Sequence, residues 1–180
     1  MKNIIVIGSG GAGKSTFSLR LGPATGIEVI HLDRLFWKPG WIETPNNEWS
    51  RIIEEALNAE SWIMDGNFGG TREMRMQACD TIIFLDVPRL VCIWRVLKRW
   101  AVYRKKSRPD MAEGCAERFD WKFLDWIWNY PKKSKPTVEK LLKQFAATKK
   151  IFVLGSNKAA EKFLRHPDLE RDYGIERRRI

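Results

Sequence analysis

The sequence predicts an α/β fold: a doubly wound, five-stranded parallel sheet with helices on both faces and a lid insertion. Five short apolar runs, Ile4–Ile7, Ile27–Leu32, Trp62–Met64, Thr81–Leu85 and Ile151–Leu154, alternate with helical stretches, as successive βαβ crossovers do. The runs are apolar nearly throughout rather than at every second residue, which fits strands covered on both faces. A glycine-rich turn separates the first run from the first helix.

That turn is the most informative segment. Gly8-Ser9-Gly10-Gly11-Ala12-Gly13-Lys14-Ser15 has the pattern G-x-x-x-x-G-K-S between a strand and a helix over Lys14–Leu21, the phosphate-binding P-loop. Glycines let backbone N–H groups close on phosphate oxygens, and the helix N-terminus adds positive potential. Gly8, Gly10, Gly11, Ala12, Gly13, Lys14, Ser15 and Thr16 are therefore the nucleotide-binding candidates. Lys14 is suited to the β/γ-phosphates of ATP and the Ser15 hydroxyl to Mg²⁺.

The next helix is expected to begin with Thr44 as N-cap and Pro45 at N1, its stripe running through Trp49, Ile52, Ile53, Ala56 and Leu57. After Pro88, Leu90, Ile93, Trp94 and Leu97 keep helical spacing to about Arg104. Periodicity lapses between Lys105 and Glu117, which reads as an excursion from the core. Helices over Phe119–Trp128 and Pro136–Phe145 follow, and Ser156 caps a last one over Asn157–Leu164. Trp121, Leu124 and Trp128 share a helical face and read as core. There is no internal repeat, so the expectation is a single domain, 1–180, with an arm at 34–60 and a lid at 105–118.

Composition narrows the class. The 180 residues carry 32 Lys plus Arg against 22 Asp plus Glu, a formal +10, which favours phosphorylated or polyanionic partners. No apolar run reaches membrane-spanning length. Cys79, Cys92 and Cys115 are scattered, as in a cytoplasmic protein with reduced thiols. With only His31 and His166, a zinc site is not expected. The Arg177-Arg178-Arg179 terminus reads as a solvated tail.

Acids at the strand ends supply the remaining chemistry. Asp33 follows the second run, Asp65 the third and Asp86 the fourth, where ligands gather in doubly wound sheets. Asp33 and Asp65 are candidates for Mg²⁺ water or an acceptor hydroxyl. Asp86 reads as a turn residue and His31 as a structural histidine.

On these residues the chain resembles the adenylate-kinase-like P-loop small-molecule kinases over nearly its whole length. The resemblance implies that Asp65-Gly66 contributes the acid holding the Mg²⁺ shell. It implies that Arg95 and Arg99, one turn apart before the lid, flank the adenine and phosphates of ATP, and that Arg118 clamps the transferring phosphoryl group. Within that branch, Asp33–Trp41, Trp62–Asn67 and Glu117–Trp121 are similar to bacterial putative kinases labelled DNA topology modulation proteins. Departures bear on the acceptor. Asn67–Arg72 replaces the expected Phe-Pro-Arg, leaving Arg72 or Arg75 for acceptor binding. Trp37 and Trp41 in the arm suit either stacking on an acceptor or a hydrophobic plug.

The expected activity is ATP-dependent transfer of the γ-phosphoryl group to a small acceptor, a nucleotide or nucleoside, without membrane association. Lys14, Arg99, Arg118 and Asp33 would act on the reacting groups, and Asp33, Trp37 and Arg72 on the acceptor. The alternative is a nucleic-acid-associated ATPase or nucleotide switch, suggested by the basic excess and by aromatics interleaved with lysines near Lys132, Lys133 and Lys135.

Overall fold

The computed structural model describes residues 1–104 and 110–165. The expected lid residues 105–109, His166 and the arginine-rich terminus lie outside them. Five parallel strands form one sheet in the order β2-β5-β1-β6-β7: β1 (Asn3–Gly8), β2 (Val29–His31), β5 (Trp62–Asp65), β6 (Thr81–Leu85) and β7 (Lys150–Leu154). A two-stranded antiparallel hairpin, β3 (Trp37–Lys38) and β4 (Ile42–Glu43), stands apart.

Strand alternation sorts the core onto two faces. Ile5, Ile7, Met64 and Phe84 pack on one side with α3 (Asn46–Leu57), α4 (Gly69–Ala78) and α7 (Lys135–Phe145). Ile4, Val6, Ile63 and Leu85 pack on the other with α1 (Lys14–Thr25), α5 (Arg89–Tyr103), α6 (Trp121–Lys133) and α8 (Asn157–Arg165). The doubly wound expectation holds, and β1 at the sheet centre delivers its carboxyl end, with the glycine loop, to the middle of the upper edge.

Several local expectations are corrected. The second strand is only Val29–His31, because Leu32 opens a short helix, α2 (Leu32–Phe36). The first helix runs on to Thr25, carrying Pro23 in its last turn, where one missing backbone donor is tolerable. Thr44 does not cap α3. Its hydroxyl donates to Phe36 O at 2.6 Å, fastening the hairpin, and the helix begins at Asn46.

The clearest correction concerns α6. Trp121 is 75% exposed and Trp128 46% exposed, while Ile127 and Tyr130 are buried. Asp120 caps the helix by accepting from Phe123 N at 3.1 Å. The inward stripe is therefore Phe123, Ile127 and Tyr130, with Phe123 driven against the glycine loop. Among the described residues no helix is long and apolar enough to cross a membrane.

Candidate active site

The glycine loop is built by what lies behind it. A Cβ on Gly10 would sit 2.4 Å from Phe123 Cζ, so α6 packs directly on the loop backbone. Gly11 has φ +75, and a Cβ there would sit 2.3 Å from Cys92 O on α5, inside any tolerable contact. The strand end is held by Asn67, whose Oδ1 accepts from Gly8 N at 3.2 Å and whose Nδ2 donates to Gly8 O at 2.6 Å. Lys14 Nζ donates to Gly8 O and Ser9 O at 3.1 and 3.0 Å. Its burial lowers the amine's pKa, opposed mainly by the nearby Asp33 and Asp65 carboxylates.

A cavity of about 850 Å³ opens above this loop, large enough for a nucleotide and a small partner. Gly10 through Thr16 form its floor, and Asp33, Trp37, Arg95, Arg99 and Arg118 stand in its walls. Arg95 donates to Gly11 O at 3.4 Å and Ala12 O at 3.1 Å, and its other terminal nitrogen reaches Asn157 Oδ1. Arg99, one turn on, binds Glu117 Oε1 through Nε at 2.9 Å, and its guanidinium lies 5.9 Å from the Phe123 ring centroid. Arg118 stacks on Trp41 at 5.1 Å.

Gly8, Asp65 and Arg72 do not line the cavity. Gly8 ends the strand beneath it. Asp65 is 4% exposed, its Oδ1 2.9 Å from His31 Nδ1 and its Oδ2 buried without a hydrogen-bond partner. Arg72 is 9% exposed and its Nε is also unpartnered. Arg75, the other arginine considered for an acceptor, is fully buried and donates to Gly66 O, Asn67 O and Phe68 O at 3.2, 2.7 and 3.1 Å. Burial and neighbouring Arg72 push its pKa down to about 9. Arg75 is thus a clamp on the loop after β5. Asp86, read as a turn residue, pairs with Lys135 at 2.7 Å.

Three contributors escaped the sequence reading: Asn67, Glu117 and the backbone of 114–116. Gly40 N donates to Gly114 O at 3.1 Å, Cys115 Sγ to Lys38 O at 3.3 Å, and Trp41 Nε1 to Ala116 O at 2.9 Å. Trp41 holds φ +64, a conformation uncommon for a bulky residue. No local signal marks these pairings. Only the Glu117-Arg118 dipeptide beside an aperiodic stretch hints at them.

One donor suited to Mg²⁺ lies in the cavity itself. Ser15 offers a hydroxyl in the cavity, and the buried Asp65 Oδ2 has lone pairs to spare. Among the described residues no group of three or more His, Cys, Asp or Glu side chains forms a cage. Mg²⁺ characteristically takes one or two protein ligands and completes its shell with water and phosphate.

The His31–Asp65 bond makes a pH prediction. The bond, helped by the charges of Asp65, Asp110 and Asp33, raises the His31 pKa above 6.5 against the opposing effect of burial. A raised folded pKa means the pair stabilises fully below the unfolded value and loses that contribution as pH rises through the folded one. Thermal unfolding midpoints are expected to fall across that window. His31→Asn removes the slope and costs about 1–2 kcal/mol at low pH. An identical slope in the variant would refute the assignment.

No family model matches the chain, and no curated protein matches it in sequence. Among solved structures, it is similar to the shikimate kinase from Acinetobacter baumannii in complex with shikimate, with a TM-score of 0.61 and 16% identity over 93% of this chain and 90% of that one. Looser likenesses are the shikimate kinase from Bacteroides thetaiotaomicron (TM-score 0.48, 15% identity, 91% and 94% covered) and an unliganded sugar kinase from Janibacter sp. HTCC2649 (TM-score 0.49, 17% identity, 93% and 92% covered). The first establishes the fold as that of P-loop kinases. None supports the narrower likeness to topology modulation proteins.

Proposed function

We propose that this chain is an ATP-dependent kinase that transfers the γ-phosphoryl group to a small acceptor, a nucleotide or nucleoside. The observation that carries the reading is the glycine loop with Lys14 flooring a cavity whose walls hold Arg95, Arg99 and Arg118 beside Asp33. Asp33 puts a carboxylate in the same cavity as Lys14. A kinase needs one to orient or deprotonate a hydroxyl.

In this reading the loop amides and Lys14 hold the triphosphate, and Arg95 flanks its adenine end. Arg99 and Arg118 spread the charge that develops on the moving phosphoryl group. Glu117 holds Arg99 in place. Mg²⁺, bound directly by Ser15 and through water by Asp65, would draw charge from the β- and γ-phosphate oxygens. Residues 1–180 act as one domain, with 34–60 as the acceptor arm and 105–118 as the lid that excludes water. Arg72, outside the cavity, does not touch the acceptor in this reading. The three separate cysteines, all free and buried, suit work in the cytoplasm.

Calorimetry with Mg·ATP, followed by an ADP-release screen over nucleosides, nucleotides and small hydroxyl metabolites, tests the proposal. Expected are triphosphate binding and ADP formation that requires an acceptor. Folded protein giving no heat with any triphosphate would refute it.

A second reading, a nucleic-acid-associated ATPase, draws on the exposed Trp94, Trp121 and Trp128 among basic residues. It requires DNA or RNA to bind near physiological salt, with affinity falling steeply as salt rises, and to stimulate hydrolysis.

A further inference from the structure

Helix α5 is apolar on two faces, and one of them is bare. Cys92 and Val96 are buried and stand against the glycine loop at Gly11. The other face presents Leu90, Trp94, Leu97 and Ala101, flanked by Val91 and Val102, all exposed. Leu90 is 66% exposed, Trp94 60% and Val102 62%. The charges of the helix do not serve this face. Arg95 and Arg99 line the cavity, and Arg89 lies over Trp128 of α6 at 4.0 Å. Between Leu90 and Val102, Lys98 alone brings a charge to the stripe, its Nζ 5.2 Å from the Trp94 ring. A surface helix ordinarily turns a polar face to water, and one apolar on both sides is ordinarily covered on both.

The spacing of the stripe says what fits it. Leu90, Trp94, Leu97 and Ala101 follow one another at intervals of four, three and four, the alternation that sets the knobs of one helix into the holes of another. They fall within about 60° of the helix circumference. The intervals read the same from either end, so two copies of α5 laid antiparallel are in register with each other. That arrangement sets Trp94 of each copy on Leu97 of the other, and Leu90 on Ala101. A larger side chain meets a smaller one at every level, the self-complementarity that a two-fold contact demands. By their fractional exposures the large apolar side chains leave roughly 500 Å² open, which is high for a monomer and the larger part of the about 800 Å² per partner in a specific interface. Nucleic acid fits less well, because its affinity rests on cations against phosphates and the stripe supplies only Lys98.

We propose that the exposed face of α5 is a homodimer interface, on which a second copy of this chain packs its own α5 antiparallel about a two-fold axis. The inference goes beyond the kinase reading and does not depend on it.

Sedimentation of full-length protein across the micromolar range tests it. Expected is a concentration-dependent shift from the 21.0 kDa chain to twice that mass. Trp94→Glu and Leu97→Lys, both at exposed positions, should each weaken association at least about thirtyfold, as loss of an interface centre does. Mixing the two variants should restore dimer, because the antiparallel register sets the new charges against each other with opposite sign. Trp121→Glu, on the exposed side of α6, should leave association unchanged. Folded protein that stays monomeric throughout, or that associates only when a thymidine oligonucleotide is added, would overturn the proposal. So would a dimer that survives both α5 variants, and a mixture that stays monomeric would overturn the antiparallel arrangement.

Discussion

Lys14→Ala is expected to lose about 10²–10³ in kcat, the cost of removing one preorganised charge donor from a reacting oxygen. The fold should barely notice. Lys14 is a half-buried ammonium whose desolvation is offset by two hydrogen bonds to loop carbonyls and by the Asp33 and Asp65 charges. These opposing contributions leave a net change of about 1 kcal/mol or less at neutral pH. The pH dependence has a definite sign. With the folded pKa below 10.5, the unfolded chain binds more protons between the two values, so stability rises with pH through that window. The alanine variant loses that rise. Steady-state kinetics beside thermal melts at several pH values check both halves, and full turnover by the variant would sink the assignment of Lys14 to phosphate.

Gly11→Ala should do the reverse and strike stability first. Its Cβ would lie 2.3 Å from Cys92 O and 3.0 Å from both Cys92 C and Val96 Cγ2. The nearest atom is helix backbone, which cannot swing aside. The left-handed φ of +75 adds about 1–2 kcal/mol for any residue with a side chain, and overpacking adds about 1–3 kcal/mol. Together they predict a loss of about 3 kcal/mol, or about 6–12 °C in unfolding midpoint for a chain of this size. Nucleotide affinity should fall with it, because the amides that face phosphate move as α5 is pushed away. Gly26→Ala is the control: its φ is +70, but nothing lies within 4 Å, so only the conformational cost applies. Equal losses in the two variants would show that the packing of α5 against the loop contributes nothing.

How much of this was legible in the chain depended on whether the signal was local. The strand before Gly8 and the loop to Ser15 could be read because strand and turn signals each sit within a few residues, whereas Arg95 and Arg99 were pointed to only by the family resemblance. Helix α4 escaped because its buried face includes Arg72 and Arg75, charges that ordinarily mark a solvated side. The hairpin escaped because its strands are two residues each and its turn passes through Trp41 at positive φ. Helix α6 was found, but its inward stripe was misplaced because the large rings of Trp121 and Trp128 outweighed Phe123 and Ile127. What decides that face is the gap at Gly10, far away in sequence. The role of Glu117 is non-local, since its partner Arg99 lies 18 residues earlier.

The strand of chain from Gly114 to Glu117 is tied both ways: to the hairpin through Gly114, Cys115 and Ala116, and to α5 through Glu117 and Arg99. In the kinase reading, this segment links the wall that would meet the donor to the wall that would meet the acceptor. Donor and acceptor should therefore bind synergistically within a single protomer, a heterotropic coupling that needs no second subunit to transmit it.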